Sequence, residues 1–198
     1  MRFKFVLSAV LMAAISVSAS GQARQNLVQG QIDHGFYVGS STKLTDLDGV
    51  FTPIPGARAG LIIDRTFMIG AAAYFMLDKN ETDFVVNDRA VEILLTYGGL
   101  QLMYAGNSDR LFHYEAGTLI GFGGLNYTDR GTDLNLTNSS HIFVLEPEAA
   151  LVLNVTDHVQ VSSGLSYRWI VGNLEEEVVK DSDLSGPALS LMLSVGAL

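Results

Sequence analysis

Hydrophobic and polar residues alternate most clearly over positions 146 to 169, EPEAALVLNVTDHVQVSSGLSYRW. Two runs of period-two alternation flank a short polar break at 156–158, which predicts a β-hairpin. One face carries Leu151, Leu165 and Trp169, and the other carries Glu148 and Arg168. A soluble barrel or sandwich would bury the apolar face, whereas a barrel in lipid would expose it. The hairpin alone leaves both orientations open.

Eight strand-like runs follow Gln31, and no amphipathic helical stretch of useful length occurs among them. In the fourth run the apolar phase changes across Gly98 and Gly99, which predicts a β-bulge at that point. The predicted strands are 35–42, 56–63, 67–77, 90–105, 111–124, 142–155, 159–171 and 187–198.

The predicted connections alternate between long and short. Outer-membrane barrels show this alternation because their strands go up and down once each, with tight turns at one rim and longer loops at the other. A soluble sandwich has no reason to sort its loops in this way. The pattern therefore predicts an all-β fold, an eight-stranded antiparallel up-and-down transmembrane β-barrel. The long connections are 43–55, 78–89, 125–141 and 172–186, and the short ones are 64–66, 106–110 and 156–158.

The first 23 residues have the layout of a secretory signal peptide. Arg2 and Lys4 precede an apolar run over 5–17, and small residues then offer cleavage near 19 or 23. The apolar run is shorter than the roughly 20 residues that a membrane helix needs. We expect residues 24–33 to form a short periplasmic segment and residues 34–198 to form the barrel domain.

Composition excludes several kinds of function. The chain has no cysteine, which excludes disulfides, thiolate catalysis and thiolate metal sites. Its formal net charge is -9, without a basic cluster, which argues against binding to nucleic acid. The segment TDLDG near Asp46 and Asp48 lacks the spacing of a calcium loop. We expect no cofactor and no metal site.

In layout, residues 35–198 resemble the small outer-membrane β-barrels of Gram-negative bacteria, the OmpA-like and OmpX-like eight-stranded proteins, including short porin-family domains. The closest local likeness lies in the hairpin at 146–169 and in the glycine-rich run FHYEAGTLIGFGG at 112–124. The resemblance implies a monomer in the outer membrane. Its partners would be the lipid bilayer, lipopolysaccharide and the outer-membrane insertion machinery. Members of that family often end in an aromatic residue, whereas this chain ends in Leu198.

Charged residues fall on the face that would line the lumen of such a barrel. An eight-stranded barrel is just wide enough to be filled by side chains. An unpaired ion there costs several kcal/mol, so these groups are expected to pair. Two arginines cannot neutralise four glutamates, so some carboxylates must reach water, bind a cation or be protonated. We favour a structural plug over a proton or ion path. The predicted lumen residues are Arg58, Glu92, Glu115, Glu146, Glu148 and Arg168.

Aromatic residues cluster near the predicted strand ends, where a membrane barrel carries its interfacial girdles. Ordinary packing is the alternative for any one of them. The candidates are Phe36, Phe67, Phe75, Tyr104, Phe112, Tyr114, Phe122, Tyr127, Tyr167 and Trp169.

The sequence predicts a non-enzymatic protein with a structural, envelope-integrity or surface-interaction role that it exerts through its extracellular loops. Two alternatives remain. One is a soluble, secreted, lipocalin-like ligand binder, which would also have eight strands. The other is a lipid A-modifying enzyme, for which His141, after Ser139 and Ser140, is the candidate. Neither G-x-S-x-G nor a metal-type histidine pair occurs, so we predict no catalytic residues.

Overall fold

The computed structural model describes residues 33–47, 50–76, 85–86, 89–129, 135–172 and 181–197. Among them, no helix has the length and apolar character to cross a membrane. One helical turn, α1 (Asp181–Leu184), precedes the last strand. The strands are β1 (His34–Leu47), β2 (Val50–Ile63), β3 (Phe67–Phe75), β4 (Val85–Val86), β5 (Arg89–Gly106), β6 (Phe112–Asp129), β7 (Asn135–Asn154), β8 (Val159–Gly172) and β9 (Gly186–Ala197).

The strands form a single antiparallel sheet that closes on itself. The order is β3-β2-β1-β9-β8-β7-β6-β5-β4, and β3 also pairs with β5. β4 adds only two residue pairs to the start of β5, so eight strands make up the barrel wall. The first and last strands pair from Phe36 with Ala197 to Thr45 with Ala188. The predicted eight-stranded up-and-down barrel is confirmed.

The outer surface is apolar and the interior carries charge. Leu151 and Leu165 are 70% and 68% exposed on the outside, whereas Glu148 and Arg168 are 8% and 0% exposed. This distribution is the one that a lipid environment requires. The lipocalin-like alternative is contradicted, because it needs an apolar interior and carboxylates in water.

The first two strands are longer than predicted. β1 runs to Leu47 and β2 starts at Val50, so most of the predicted loop 43–55 is paired strand. The strict alternation of long and short connections is therefore wrong at the first connection. It is also wrong at the predicted connection 125–141, because β6 and β7 leave only 130–134 outside the strands, no more than the short turn at 107–111. The first part of β2 contains Pro53 and Pro55, and β2 pairs with β3 only from Gly56 onward. Among the described residues, 50–55 thus pair with one neighbour, and proline is tolerated at such an edge.

The predicted bulge at Gly98 and Gly99 is also wrong. β5 keeps unbroken register through both glycines, against β3 on one side and β6 on the other. Leu95 and Tyr97 face the lumen, whereas Leu100 is exposed on the outside. The apolar phase changes because the lumen beside Leu95 is itself apolar. The register irregularity lies instead between Leu125 and Tyr127, where β6 pairs with β7.

Glycine on the inner face makes room for large side chains. A Cβ atom at Gly56 would overlap the ring of Tyr74, and a Cβ at Gly60 would lie 2.9 Å from the ring of Tyr37. Each of these tyrosines has a glycine as its direct cross-strand partner, which leaves room for the ring on the inner face of a narrow barrel. The glycine-rich inner face therefore permits the packed interior described next.

Candidate functional site

The lumen is built in layers. Five charged side chains, each at most 8% exposed, lie between two apolar clusters, and we call these five the charged layer: Lys43, Arg58, Glu146, Glu148 and Arg168. The apolar cluster toward the long loops includes Leu47, Ile54, Met76, Leu95, Leu125, Ile142, Val144, Ile170 and Leu184. The cluster toward the short turns contains Tyr37, Ile62, Met68, Met103 and Ala105, with Met192 packed against it.

Glu146 on β7 receives three polar contacts. The Nζ atom of Lys43 lies 2.7 Å from Oε2. The hydroxyl of Tyr97 donates to the same oxygen at 3.1 Å, and Ser166 donates to Oε1 at 2.7 Å. The Lys43 ammonium also lies 4.1 Å from the centroid of the Tyr74 ring. Both oxygens of this 1% exposed residue are therefore satisfied without water.

Glu148 lies two residues along β7 and has its own cation. Nη2 of Arg58 donates to Oε2 at 2.6 Å, and Ser190 on β9 donates to Oε1 at 2.8 Å. Lys43 is 4.0 Å away, so it lies between the two carboxylates. Nε of Arg58 donates to the Tyr74 hydroxyl at 2.5 Å. The network thus joins β1, β2, β3, β7 and β9 across the lumen.

Arg168 on β8 is bonded differently. Its Nε donates to the carbonyl oxygen of Leu184 at 2.9 Å, and Leu184 is the last residue of α1. Its Nη1 and Nη2 are buried and have no hydrogen-bond partner in the described part of the chain. The segment that follows α1 is held in turn by Ser185, whose Oγ accepts from the backbone nitrogen of Ile170 at 2.9 Å. The connection before β9 is therefore fastened into the upper lumen.

The predicted lumen residues do not all lie together. Arg58, Glu146, Glu148 and Arg168 belong to the charged layer. Glu115 lies nearer the short turns, where its Oε1 is 3.8 Å from Nε2 of His113. The side chain of Glu92 falls outside the part that the structure describes.

Lys43 belongs to the charged layer but was predicted to lie in a loop. A signal for it exists in the sequence: every second residue from Tyr37 to Leu47 faces inward, and Lys43 has that parity. With Lys43 included, the charged layer has three cations and two carboxylates. The expected surplus of carboxylate is therefore reversed in this layer.

The predicted girdle residues whose side chains are described all point outward, each at least 41% exposed. Tyr127 falls outside that description. Phe67 and Phe75 stand at opposite ends of β3. Eight residues of strand cover about 27 Å, or about 20 Å along the axis of a tilted barrel, close to the apolar band of a membrane barrel. Their role as girdles stays a prediction.

We call the rings near the short turns (Phe36, Phe67, Tyr104, Phe112, Tyr114) the lower aromatic level and the others (Phe75, Phe122, Tyr167, Trp169) the upper one.

The described residues show no catalytic cluster around the candidate histidine. His141 is exposed on β7, and the side chains of Ser139 and Ser140 are not among those described. Within the described ranges, no group of three or more His, Cys, Asp or Glu residues is arranged to hold a metal ion.

No protein-family model matches the sequence, and no curated protein matches it. Two solved structures share the fold. Neisserial surface protein A has a TM-score of 0.52 and 14% identity, over 84% of this chain and 97% of that one. The N-terminal β-barrel domain of Pseudomonas aeruginosa OprF has a TM-score of 0.54 and 13% identity, over 84% of this chain and 99% of that one. At such identities the likeness concerns the fold alone, which is that of small eight-stranded outer-membrane β-barrels.

Proposed function

We propose that this protein is a non-enzymatic β-barrel of a Gram-negative outer membrane, with a sealed lumen and a structural, envelope-integrity or surface-interaction role. The observation that carries the proposal is the charged layer between two apolar clusters. A path for ions or solutes needs water and groups that can exchange partners, but Glu146 and Arg168 are 1% and 0% exposed. The interior then serves as the core of the protein. Other molecules then contact its outer surface and its loops.

The route to the membrane follows from the same proposal. Residues 1–23 act as the signal peptide, residues 24–33 remain in the periplasm, and the insertion machinery assembles the barrel. The short turns at 64–66, 107–111 and 155–158 then face the periplasm. The long connections face outward, beside lipopolysaccharide. We take the protein to be a monomer, and closure of the barrel within one chain supports this because it leaves no unpaired sheet edge for a partner to cover.

The outer-membrane location of the protein and the sealed lumen are tested together on the full-length protein. We expect it in the outer-membrane fraction, with gel migration that changes on boiling, and we expect no single-channel conductance in planar lipid bilayers. Recovery as a soluble periplasmic protein would overturn the membrane location. Reproducible conductance by the purified wild-type protein would overturn the sealed lumen.

Complementation distinguishes an envelope-integrity role from a surface-interaction role. A strain lacking the protein is compared with strains that carry the wild type or a variant with Gly-Ser residues in place of 130–134. If the barrel supports the envelope, the variant restores resistance to detergents as well as the wild type does. If the loop binds a partner, the variant inserts normally but does not restore the phenotype. A deletion strain with no envelope or surface phenotype would contradict both versions.

The lipid A-modifying alternative is tested by mass spectrometry. Lipid A from cells that overproduce the wild type is compared with lipid A from cells that overproduce His141→Ala. We expect identical spectra. A mass change that depends on the wild type and is lost in His141→Ala would replace the proposed function with an enzymatic one.

A further inference from the structure

Arg168 is enclosed at 0% exposure, yet only part of its guanidinium is bonded. Nε has the Leu184 carbonyl, whereas Nη1 and Nη2 have no hydrogen-bond partner in the described ranges. The guanidinium carbon also lies 5.8 Å from the centroid of the Tyr97 ring. Arginine cannot lose its proton in a protein, so burial does not neutralise this group.

The guanidinium interacts electrostatically with Glu146 but has no carboxylate of its own among the described residues. Glu146 faces Arg168 across β7 and β8, but its two oxygens are taken by Lys43, Tyr97 and Ser166. With Glu148 held by Arg58, the charged layer carries one excess positive charge. The next inward carboxylate, Glu115, is level with Gly164, four residues along β8, or about 13 Å away.

The acidic residues of α1 do not supply the missing partner. Asp181 and Asp183 are only partly buried, and Asp181 accepts from the backbone nitrogen of Gly172. The terminal nitrogens of Arg168 form no hydrogen bond with either of them. A buried, uncompensated charge costs several kcal/mol, and a water molecule would reduce this cost but would leave the excess positive charge in place.

Space for a counter-ion exists beside Gly186, the residue that pairs with Arg168 on β9. Gly186 is buried, but among the described residues a Cβ atom added to it would meet only the carbonyl oxygen of Asp46, at 3.9 Å. By contrast, a Cβ on Gly164 of β8 would lie 2.7 Å from the carbonyl oxygen of Ala149. In the described part of the chain, the inner wall is thus open at Gly186 on β9, beside the arginine, and tight at Gly164 on β8.

We propose that Arg168 binds a small monovalent anion of the halide class inside the barrel, in the space beside Gly186. One negative charge balances the excess of the charged layer, and a monatomic ion suits a gap that opens where a single side chain is missing. Val144, Ile170 and Leu184 belong to the apolar cluster on the loop side of the charged layer. An ion there has lost its water, so weakly hydrated bromide or chloride binds better than fluoride.

The first test is crystallographic and uses the full-length wild-type protein crystallised from sodium bromide. We expect an anomalous peak within hydrogen-bonding reach of Nη1 and Nη2 of Arg168. Water at that place, or bromide only on the outer surface, would overturn the proposal. This measurement needs no variant and does not depend on whether the lumen conducts.

The second test compares the midpoint temperatures of thermal unfolding in sodium bromide and in sodium fluoride at equal ionic strength. At a hundredfold excess over the dissociation constant, bromide is expected to raise the wild-type midpoint by roughly 5 °C relative to fluoride. Gly186→Ala fills the space without a clash and keeps Arg168, so this variant folds and loses the difference. Arg110→Gln changes an exposed arginine of a short turn, and this variant keeps the difference between the midpoints in bromide and in fluoride. Equal midpoints in both salts for the wild type, or a full bromide effect in Gly186→Ala, would contradict the site.

Discussion

Lys43 occupies the centre of the charged layer, with its Nζ 2.7 Å from Glu146 and 4.0 Å from Glu148. It is the only lysine in the described part of the chain. Such a buried network contributes little if it is compared with an apolar replacement, but the loss of one member leaves another charge uncompensated. At the scale of single residues, the interior is therefore sensitive to changes that break a pair and tolerant of changes that remove both partners.

Replacement of Lys43 by methionine should lower the free energy of unfolding by about 3 kcal/mol, because Glu146 would lose the hydrogen-bonded ammonium at 2.7 Å and keep only Arg168, which donates no hydrogen bond to it, as a nearby cation. The double variant Lys43→Met with Glu146→Gln should recover most of this loss, since the amide oxygen can accept from one of the two hydroxyls of Tyr97 and Ser166 and the amide nitrogen can donate to the other. Urea unfolding in detergent micelles, followed by the fluorescence of Trp169, measures both. The control is Arg65→Met at the exposed pair with Asp33, expected to change stability by less than about 0.5 kcal/mol. A double variant as unstable as the single one would show that the pair is not the cause.

At the scale of elements, the hairpin of β1 and β2 shows how pairing extends a strand past local signals. The two strands are paired from His34 with Ile63 up to Leu47 with Val50, although the upper part contains two prolines and several polar residues. The extension places Lys43 and Thr45 on the inner wall, where both are at most 2% exposed. This hairpin therefore supplies the central cation of the charged layer.

The register of this hairpin can be tested with a disulfide, since the chain has no cysteine of its own. Asp46 and Phe51 are direct cross-strand partners on the outer face. Cysteines at Asp46 and Phe51 should form a disulfide under mild oxidation, because directly opposed residues have suitable Cα distances. Cysteines at Asp46 and Pro53, two residues out of register, should remain reduced. Thiol counting by mass spectrometry distinguishes the two, and efficient bridging of the second pair would disprove the register.

The α1 segment contributes to the core although it belongs to a connection between strands. Leu184 is 2% exposed within the upper apolar cluster. Its truncation to alanine should cost about 3 kcal/mol of unfolding free energy, as for other large buried side chains. Leu111→Ala, at a 62% exposed leucine of a short turn, should cost less than about 0.5 kcal/mol. Equal effects in urea unfolding would mean that α1 does not pack into the barrel in solution.

At the scale of the whole molecule, the decisive feature is that apolar side chains face outward and charged side chains are enclosed. Leu165 lies on β8 between the two aromatic levels and is 68% exposed. In a soluble protein such a position would accept a charge easily. In a membrane barrel the same position contacts lipid. A charged substitution on the outer face therefore distinguishes a lipid environment from water.

Leu165→Arg should reduce the free energy of unfolding in lipid vesicles by about 2 to 4 kcal/mol, because the guanidinium would lie in hydrocarbon. Leu111→Arg changes a leucine of similar exposure beyond the lower aromatic level, where headgroups and water are available. It should be nearly neutral. Unfolding of both variants in vesicles is the measurement. A neutral Leu165→Arg would contradict burial of this face in the membrane.

The sequence by itself determined the class of fold. Period-two alternation is a local property of the strand, so Leu151, Leu165 and Glu148 could be assigned to opposite faces from the hairpin alone. The short turns at 64–66 and 156–158 set the order of strands, because neighbours joined by tight turns must pair antiparallel. These signals suffice for an eight-stranded barrel and for the inner face on which Arg58, Glu115, Glu146, Glu148 and Arg168 lie.

Only the tertiary structure decided how those charges are matched. Arg58 and Glu148 are 90 residues apart in the chain, and no local pattern links them. On β5 the apolar residues change from the inner to the outer face, because several strands together build an apolar upper lumen. In the sequence this change had the pattern of a β-bulge. Lys43 acquired its role because β1 and β2 stay paired beyond the predicted loop. Alternation fixes which way a side chain points, but its partner depends on strands that meet only when the barrel closes.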